Sequence, residues 1–126
     1  MKTVLIVDDD PTTRGVLKNM LQALPVICLE AGDGRAAVAT PSQARIDLAV
    51  VDMFLPGKGG LDVIQELRQA QPDMRFIAMS GGQGFDPGDV LPLSRLLDIT
   101  DTLAKPLDRK TVLDTVGRLL KEPPQG

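Results

Sequence analysis

The stretch Asp47-Leu48-Ala49-Val50-Val51-Asp52-Met53-Phe54-Leu55-Pro56-Gly57 decides the fold. Four consecutive apolar residues without period-two alternation, closed by an acid and then a Pro-Gly turn, predict a central strand over Asp47 to Val51, buried on both faces. Asp52 then emerges at the strand's carboxyl end. In open parallel sheets that edge is where ligands sit, beside the point where strand order reverses. Taken alone, Asp52 reads equally well as the cap of the following turn.

Toward the amino terminus, Val4-Leu5-Ile6-Val7 is a first buried strand, and Asp8-Asp9-Asp10-Pro11 runs straight into a helix start. Asp10 suits the N-cap and Pro11 the first helical position. Val16, Leu17, Met20, Leu21 and Leu24 recur at helical spacing and form one apolar stripe, ended by Pro25. Val26 to Glu30 predicts a second strand, Gly32-Asp33-Gly34 a turn, and Arg35 to about Ala39 a short helix stopped near Pro41. After Asp52, the glycines Gly57, Gly59 and Gly60 form a loop, and Leu61, Ile64 and Leu67 mark a helix ending before Pro72. Arg75 to Met79 is a fourth strand, followed by Ser80-Gly81-Gly82. Pro87 and Pro92 restrict a fourth helix to roughly Val90 to Leu97, with Asp89 as its cap. Thr102 to Ala104 makes a fifth strand and Lys105-Pro106 a turn. Asp108 caps a last helix with the stripe Val112, Leu113, Val116, Leu119 and Leu120. Five strands alternating with helices predict a doubly wound parallel sheet with helices on both faces.

At 126 residues the chain fits one domain, expected over residues 1–121, large enough to bury roughly two-thirds of its unfolded surface. Residues 122–126, Glu-Pro-Pro-Gln-Gly, read as a flexible tail or the start of a linker. The composition, 25% charged and 43% hydrophobic, is that of a globular protein. A net charge of −3 and only three aromatics, Phe54, Phe76 and Phe85, argue against a nucleic-acid surface. The single cysteine, Cys28, excludes an internal disulfide and reads as buried packing in a reducing compartment. Only Val4 to Val7 is apolar near the start, too short for a signal-peptide core. The expectation is a cytoplasmic protein with no membrane association.

In such a sheet Asp8 and Asp9, Asp52, Ser80 and Lys105 leave strands one, three, four and five at one edge. Carboxylates about 4 Å apart repel by roughly 4 kcal/mol at an effective dielectric near 20, so converging acids call for a compensating cation. There is no histidine in the chain, and an oxygen-only donor set suits a hard ion such as Mg²⁺. A carboxylate flanked by a divalent ion, an ammonium and a hydroxyl is an arrangement for phosphoryl transfer.

These residues resemble the receiver domains of two-component response regulators. The matches are Asp8-Asp9, Asp52 with Pro56 and Gly60 behind it, Ser80-Gly81, and Lys105-Pro106, and they span about Thr3 to Leu120. The resemblance implies a flavodoxin-like (βα)5 fold with strand order 2-1-3-4-5. It implies that Asp52 is the phosphoacceptor, taking its phosphoryl group from a histidine kinase or phosphotransfer protein. It further implies direct Mg²⁺ ligation by Asp9 and Asp52, a water-bridged role for Asp8, and a ligand from the Phe54 backbone carbonyl. Lys105 would pair with a phosphoryl oxygen, Ser80 would hydrogen-bond another, and the Lys105-Pro106 bond would be cis. The implied role is a phosphoacceptor that assists its own phosphorylation and dephosphorylation rather than an enzyme. Switching would draw Ser80 toward the phosphoryl group. The readout is an unknown downstream protein on the face of the fourth helix, fifth strand and last helix, or a phosphorylation-dependent dimer.

Three positions depart from the family pattern. Thr102 stands where an aromatic switch is common, Gly59 where an acid often precedes Gly60, and Asp98 where a glycine often ends the fourth helix. The glycine- and proline-rich residues 81–92 read either as a loop that orders on phosphorylation or as a plain long loop. Singly, Asp8 or Asp10 could be an N-cap, Ser80 a turn former and Lys105 a solvated charge. Met20, Met53, Met74 and Met79 read as core filler, and Arg68, Lys110 and Lys121 as exposed helix charges. Asp8-Asp9-Asp10-Pro11-Thr12 also resembles the Asp-x-Asp-x-Thr pattern of haloacid-dehalogenase-like phosphatases, with Asp8 as nucleophile and Asp10 as acid-base. A degenerate receiver acting as a phosphorylation-independent binding module is the third reading. With no output segment after Leu120, either a single-domain regulator or a fragment of a longer chain is expected.

Overall fold

In the computed structural model, which describes residues 1–80 and 101–121, five strands form one parallel sheet. The strands are β1 (Lys2–Val7), β2 (Val26–Ala31), β3 (Leu48–Asp52), β4 (Arg75–Ser80) and β5 (Thr102–Ala104). Among the described residues the α-helices are α1 (Pro11–Leu21), α2 (Gly34–Ala39), α3 (Gly60–Ala70) and α4 (Arg109–Lys121). The order β2-β1-β3-β4-β5 is the one expected, with β1 and β3 flanking the reversal point.

All five residues of β3 are buried, and their side chains alternate between two cores. Ala49 and Val51 join Leu5, Val7, Phe76 and Ala78 under Val63, Ile64 and Leu67 of α3. Leu48 and Val50 join Val4, Ile6, Ile77 and Met79 under Leu17 and Leu21 of α1 and Val112, Val116 and Leu119 of α4. A strand covered by helices on both faces has no solvent side to mark with polar residues. At roughly 1.5–3 kcal/mol for each large side chain buried, these two layers hold the sheet edge rigid.

The caps hold as read. Asp10 accepts the Thr12 N–H at 2.9 Å and Asp108 the Thr111 N–H at 2.9 Å, each satisfying a helix-start donor. Among the methionines, Met53, Met74 and Met79 are buried and Met20 packs against the α1–α4 core.

Several details differ from expectation. Val16 lies 43% exposed, outside the stripe, because the buried α1 positions are Leu17 and Leu21. Helix α1 ends at Leu21 rather than running to Pro25, its last carbonyls satisfied by N–H groups of Gln22, Ala23 and Leu24. The second helix does end at Ala39 as expected, and Pro41 beyond it sits in a 3₁₀ turn, Thr40–Ser42, where its missing N–H costs nothing. Cys28 is only half-buried, since β2 is the sheet's edge, although burial still pushes its thiol pKa up. Arg68 is not a plain solvated charge: its guanidinium stacks 5.3 Å from the Phe76 ring centroid. The expected helix over Val90 to Leu97, the 81–92 stretch, Asp98 and the tail 122–126 lie outside the described residues.

Candidate functional site

Register, rather than proximity in sequence, gathers the acids. Val7 pairs with Val51 in the parallel β1–β3 ladder, so the next residues, Asp8 and Asp52, leave the sheet side by side. Across β3 and β4, Asp52 pairs with Met79, which sets Ser80 one residue beyond it at the same edge. Ser80 pairs in turn with Ala104, the residue before Lys105, and the Ser80 carbonyl accepts the Lys105 N–H at 2.7 Å. Four strands thus deliver the predicted residues to one edge. The Lys105-Pro106 peptide is cis, as expected.

One carboxylate oxygen from each of Asp8, Asp9 and Asp52 lies within 4.8 Å of the others. Lys105 Nζ donates to Asp8 Oδ2 at 2.7 Å and to Asp52 Oδ2 at 3.3 Å. Burial works against the charged Lys105 amine, but the Asp8 hydrogen bond and the Asp52 charge outweigh it and raise its pKa above the usual lysine value. Asp8 is fully buried and has both oxygens engaged, Oδ1 by the Asp10 N–H at 2.9 Å and Oδ2 by Lys105. Asp9 is exposed. Asp52 is buried, its Oδ1 accepting the Phe54 N–H at 2.9 Å. That bond folds the backbone just past β3 around the carboxylate, while the Phe54 side chain is 52% exposed. Ser80 is buried and Thr102 half-buried on β5.

The donor set suits a hard cation. It offers one carboxylate oxygen from each of three acids, two of which also hold the Lys105 ammonium, without histidine in the chain and with the only thiol, Cys28, back along β2. Mg²⁺ takes one or two carboxylates together with waters and a phosphate. The residues fit that ion.

Two further residues bear on the site in ways the sequence reading did not show. Gly60 opens α3 directly against the end of β3, so close that a Cβ there would stand 2.5 Å from the Asp52 carbonyl oxygen. Sequence marked Gly60 only as a motif position. Arg14, one turn into α1, donates from Nη1 to the Asp8 carbonyl at 2.7 Å and from Nε to Glu30 at 3.2 Å. The available signal was an arginine one helical turn after an N-cap acid, with a glutamate at the end of the neighbouring strand.

A family model described as response regulator receiver domain matches residues 4–117. Among curated proteins, the chain is 31% identical over 121 residues to the transcriptional regulatory protein CpxR of Klebsiella pneumoniae, covering 96% of this chain and 50% of that one. It is 30% identical over 120 residues to the autoinducer 1 sensor kinase/phosphatase LuxN of Vibrio campbellii, covering 95% of this chain and 14% of the other. The chain therefore spans half or less of the length of these relatives. Among solved structures, the Vibrio cholerae chemotaxis protein CheY4 superposes with a TM-score of 0.82 at 26% identity, covering 94% of this chain and 98% of that one. A putative response regulator from Chloroflexus aurantiacus gives a TM-score of 0.85 at 25% identity, covering 96% and 98%.

Proposed function

This chain belongs to the response regulator receiver domain family of two-component systems, and from that premise we propose that Asp52 accepts a phosphoryl group from a phosphohistidine with Mg²⁺ bound. The observation that carries the reading is the meeting of Asp8, Asp9 and Asp52 within 4.8 Å, with Lys105 bonded to two of them. When bound, the ion supplies charge neutralisation for the incoming phosphoryl oxygens. Asp9 and Asp52, with the Phe54 carbonyl, would hold it, and Asp8, the fully buried acid of the three, would reach it through water.

Asp52 Oδ attacks phosphorus, the O–P bond forms as the P–N bond breaks, and the departing imidazole nitrogen keeps the electron pair and takes a proton. Lys105 exchanges its contact with Asp52 for a phosphoryl oxygen while keeping Asp8. Ser80, at the end of the neighbouring strand, binds another oxygen and shifts a pre-existing equilibrium toward the signalling state. Thr102 occupies the switch position on β5 with a small side chain, so the readout does not depend on an aromatic rotamer.

The donor is a histidine kinase or phosphotransfer protein in the cytoplasm, a reading supported by relatives named as sensor kinase/phosphatases. The downstream partner, or a second copy of the chain, docks on the face carrying β5 and α4. Membership of the receiver family supports Asp52 over the phosphatase reading of Asp8-Asp9-Asp10. Asp8 is also fully buried, a poor state for a nucleophile.

The test is intact mass after incubation with a small acyl-phosphate donor and Mg²⁺. One phosphoryl group is expected on the wild-type chain and none on Asp52→Asn. Labelling that survives Asp52→Asn but is lost in Asp8→Asn overturns the assignment. No labelling with any donor, in folded chain that binds Mg²⁺, makes it a degenerate receiver.

A further inference from the structure

We propose that Arg14 and Glu30 form a positioning pair that aims the acid turn at the cation, an inference that rests on the receiver reading. Most polar groups of the turn Asp8–Asp10 are held by the turn's immediate surroundings. The Asp8 N–H donates to the Ala31 carbonyl at 3.2 Å, Asp8 Oδ1 accepts the Asp10 N–H, and Asp10 Oδ1 accepts the Thr12 N–H. The Asp8 carbonyl is the exception, held by the Arg14 guanidinium at 2.7 Å. That carbonyl shares one rigid plane with the Asp9 N–H, so fixing it sets the direction in which Asp9 leaves the turn.

The guanidinium is itself fixed. Glu30 Oε1 lies 3.2 Å from Arg14 Nε, and Glu30 Oε2 lies 3.5 Å from Lys18 Nζ. Gly32 backs the same group, since a Cβ there would stand 3.2 Å from Arg14 Nη1. The arginine side chain is only 19% exposed and lies between the acid turn and Gly32. Its planar fork bonds Asp8 with one nitrogen and Glu30 with another, a geometry the compact ammonium of lysine does not reproduce. Helix α1 has separate anchors in the Asp10 cap and in Leu17 and Leu21. The Arg14 bond to Asp8 therefore serves the turn more than the helix.

The test compares the full-length wild-type chain with Arg14→Lys, Glu30→Gln and Gly32→Ala, using Mg²⁺ alone as the probe. Mg²⁺ affinity is read from NMR titration of the Asp9 and Asp10 amides, and turn order from Asp10 amide exchange in metal-free protein. Groups one step behind a metal ligand typically shift affinity by 10–100-fold, so Arg14→Lys should weaken Mg²⁺ binding roughly tenfold and speed Asp10 exchange. Glu30→Gln and Gly32→Ala should do so in the same sense but less. Thermal unfolding should move by no more than about 2 °C. Phosphorylation by the acyl-phosphate donor should return to the wild-type rate at saturating Mg²⁺, since the defect lies in metal affinity rather than in the nucleophile.

Wild-type affinity and wild-type Asp10 exchange in Arg14→Lys overturn the proposal, as does weakened binding that appears only with a large drop in melting temperature. If Arg14→Lys does not fold, the Glu30 and Gly32 variants decide by the same two readings. A wild-type chain indifferent to Mg²⁺ refutes the receiver chemistry itself, a result separable from a failure of the pair alone.

Discussion

Replacing Gly60 by alanine should damage this protein far more than the same change one residue earlier, at Gly59. The new Cβ would meet the Asp52 carbonyl oxygen at 2.5 Å, the Met53 Cα at 2.6 Å and the Asp52 carbonyl carbon at 3.1 Å. All three are backbone atoms of the turn leaving β3, so no rotamer change relieves the overlap. The start of α3 must move away from the sheet, carrying Val63, Ile64 and Leu67 out of their packing. Overpacking of this kind costs about 1–3 kcal/mol, and the backbone character of all three contacts places Gly60→Ala near 3. With a urea dependence of about 1.5 kcal/mol per molar, the unfolding midpoint should fall by roughly 2 M. Gly59→Ala is the internal control, because nothing lies within 4 Å of its Cβ and its φ is −71°. The same displacement moves the backbone behind Asp52, so phosphoryl uptake should fall as well. A Gly60→Ala midpoint equal to that of Gly59→Ala would refute the claim that this close approach holds the site.

The other expectations concern charge and buried polar groups. Asp9→Asn should raise the urea midpoint of metal-free protein by relieving repulsion with Asp8 and Asp52, and should abolish the stabilisation that Mg²⁺ gives the wild type, about 2.7 kcal/mol at a hundredfold excess over Kd. Because the folded-state pKa of Lys105 is raised, its contribution is complete below the ordinary value of 10.5 and is lost as pH climbs through the higher folded value. The stability difference between wild type and Lys105→Met should therefore be flat from pH 8 to 10 and shrink above it, with calorimetry as the check. Gln71 accepts the Ile46 N–H at 2.8 Å and donates to the Ala44 carbonyl at 2.9 Å. Gln71→Ala should cost about 2 kcal/mol in urea unfolding by orphaning that N–H, and Gln71→Glu less, since it can still accept.

The sheet was legible in the sequence because strands covered on both faces are written as unbroken apolar runs, and Val4–Val7, Leu48–Val51 and Phe76–Met79 are such runs. The site was legible because in a parallel sheet the residues following those runs all emerge on one edge. Helix limits were less so. Val16 carries the right spacing for the α1 stripe, but only the angle at which α1 lies on the sheet decides that Leu17 and Leu21 take the buried places. Arg14, Glu30 and the Gly60 contact were hidden for a different reason. Arg14 and Gly60 each meet a backbone carbonyl, with Glu30 acting through Arg14, and side-chain patterns announce only weakly an interaction whose other half is main chain.

The pocket's charge distribution explains how three acids coexist before any metal arrives. With oxygens within 4.8 Å, each carboxylate pair repels by roughly 3–4 kcal/mol at an effective dielectric near 20. On that scale Lys105, at 2.7 and 3.3 Å, attracts each of its two partners by roughly 5–6 kcal/mol. One ammonium thus offsets the mutual repulsion to first order, which lets the chain fold with the acids together. The trio and the lysine still carry a formal charge of −2, the amount a divalent ion neutralises. In the proposed chemistry, phosphorylation turns the Asp52 carboxylate into a neutral carbonyl bearing a dianion farther out. The pull on Lys105 then shifts outward along one of its two bonds. Its main-chain N–H is tied to Ser80 at 2.7 Å, so the force falls on the β4–β5 edge and is transmitted toward α4, the helix that follows.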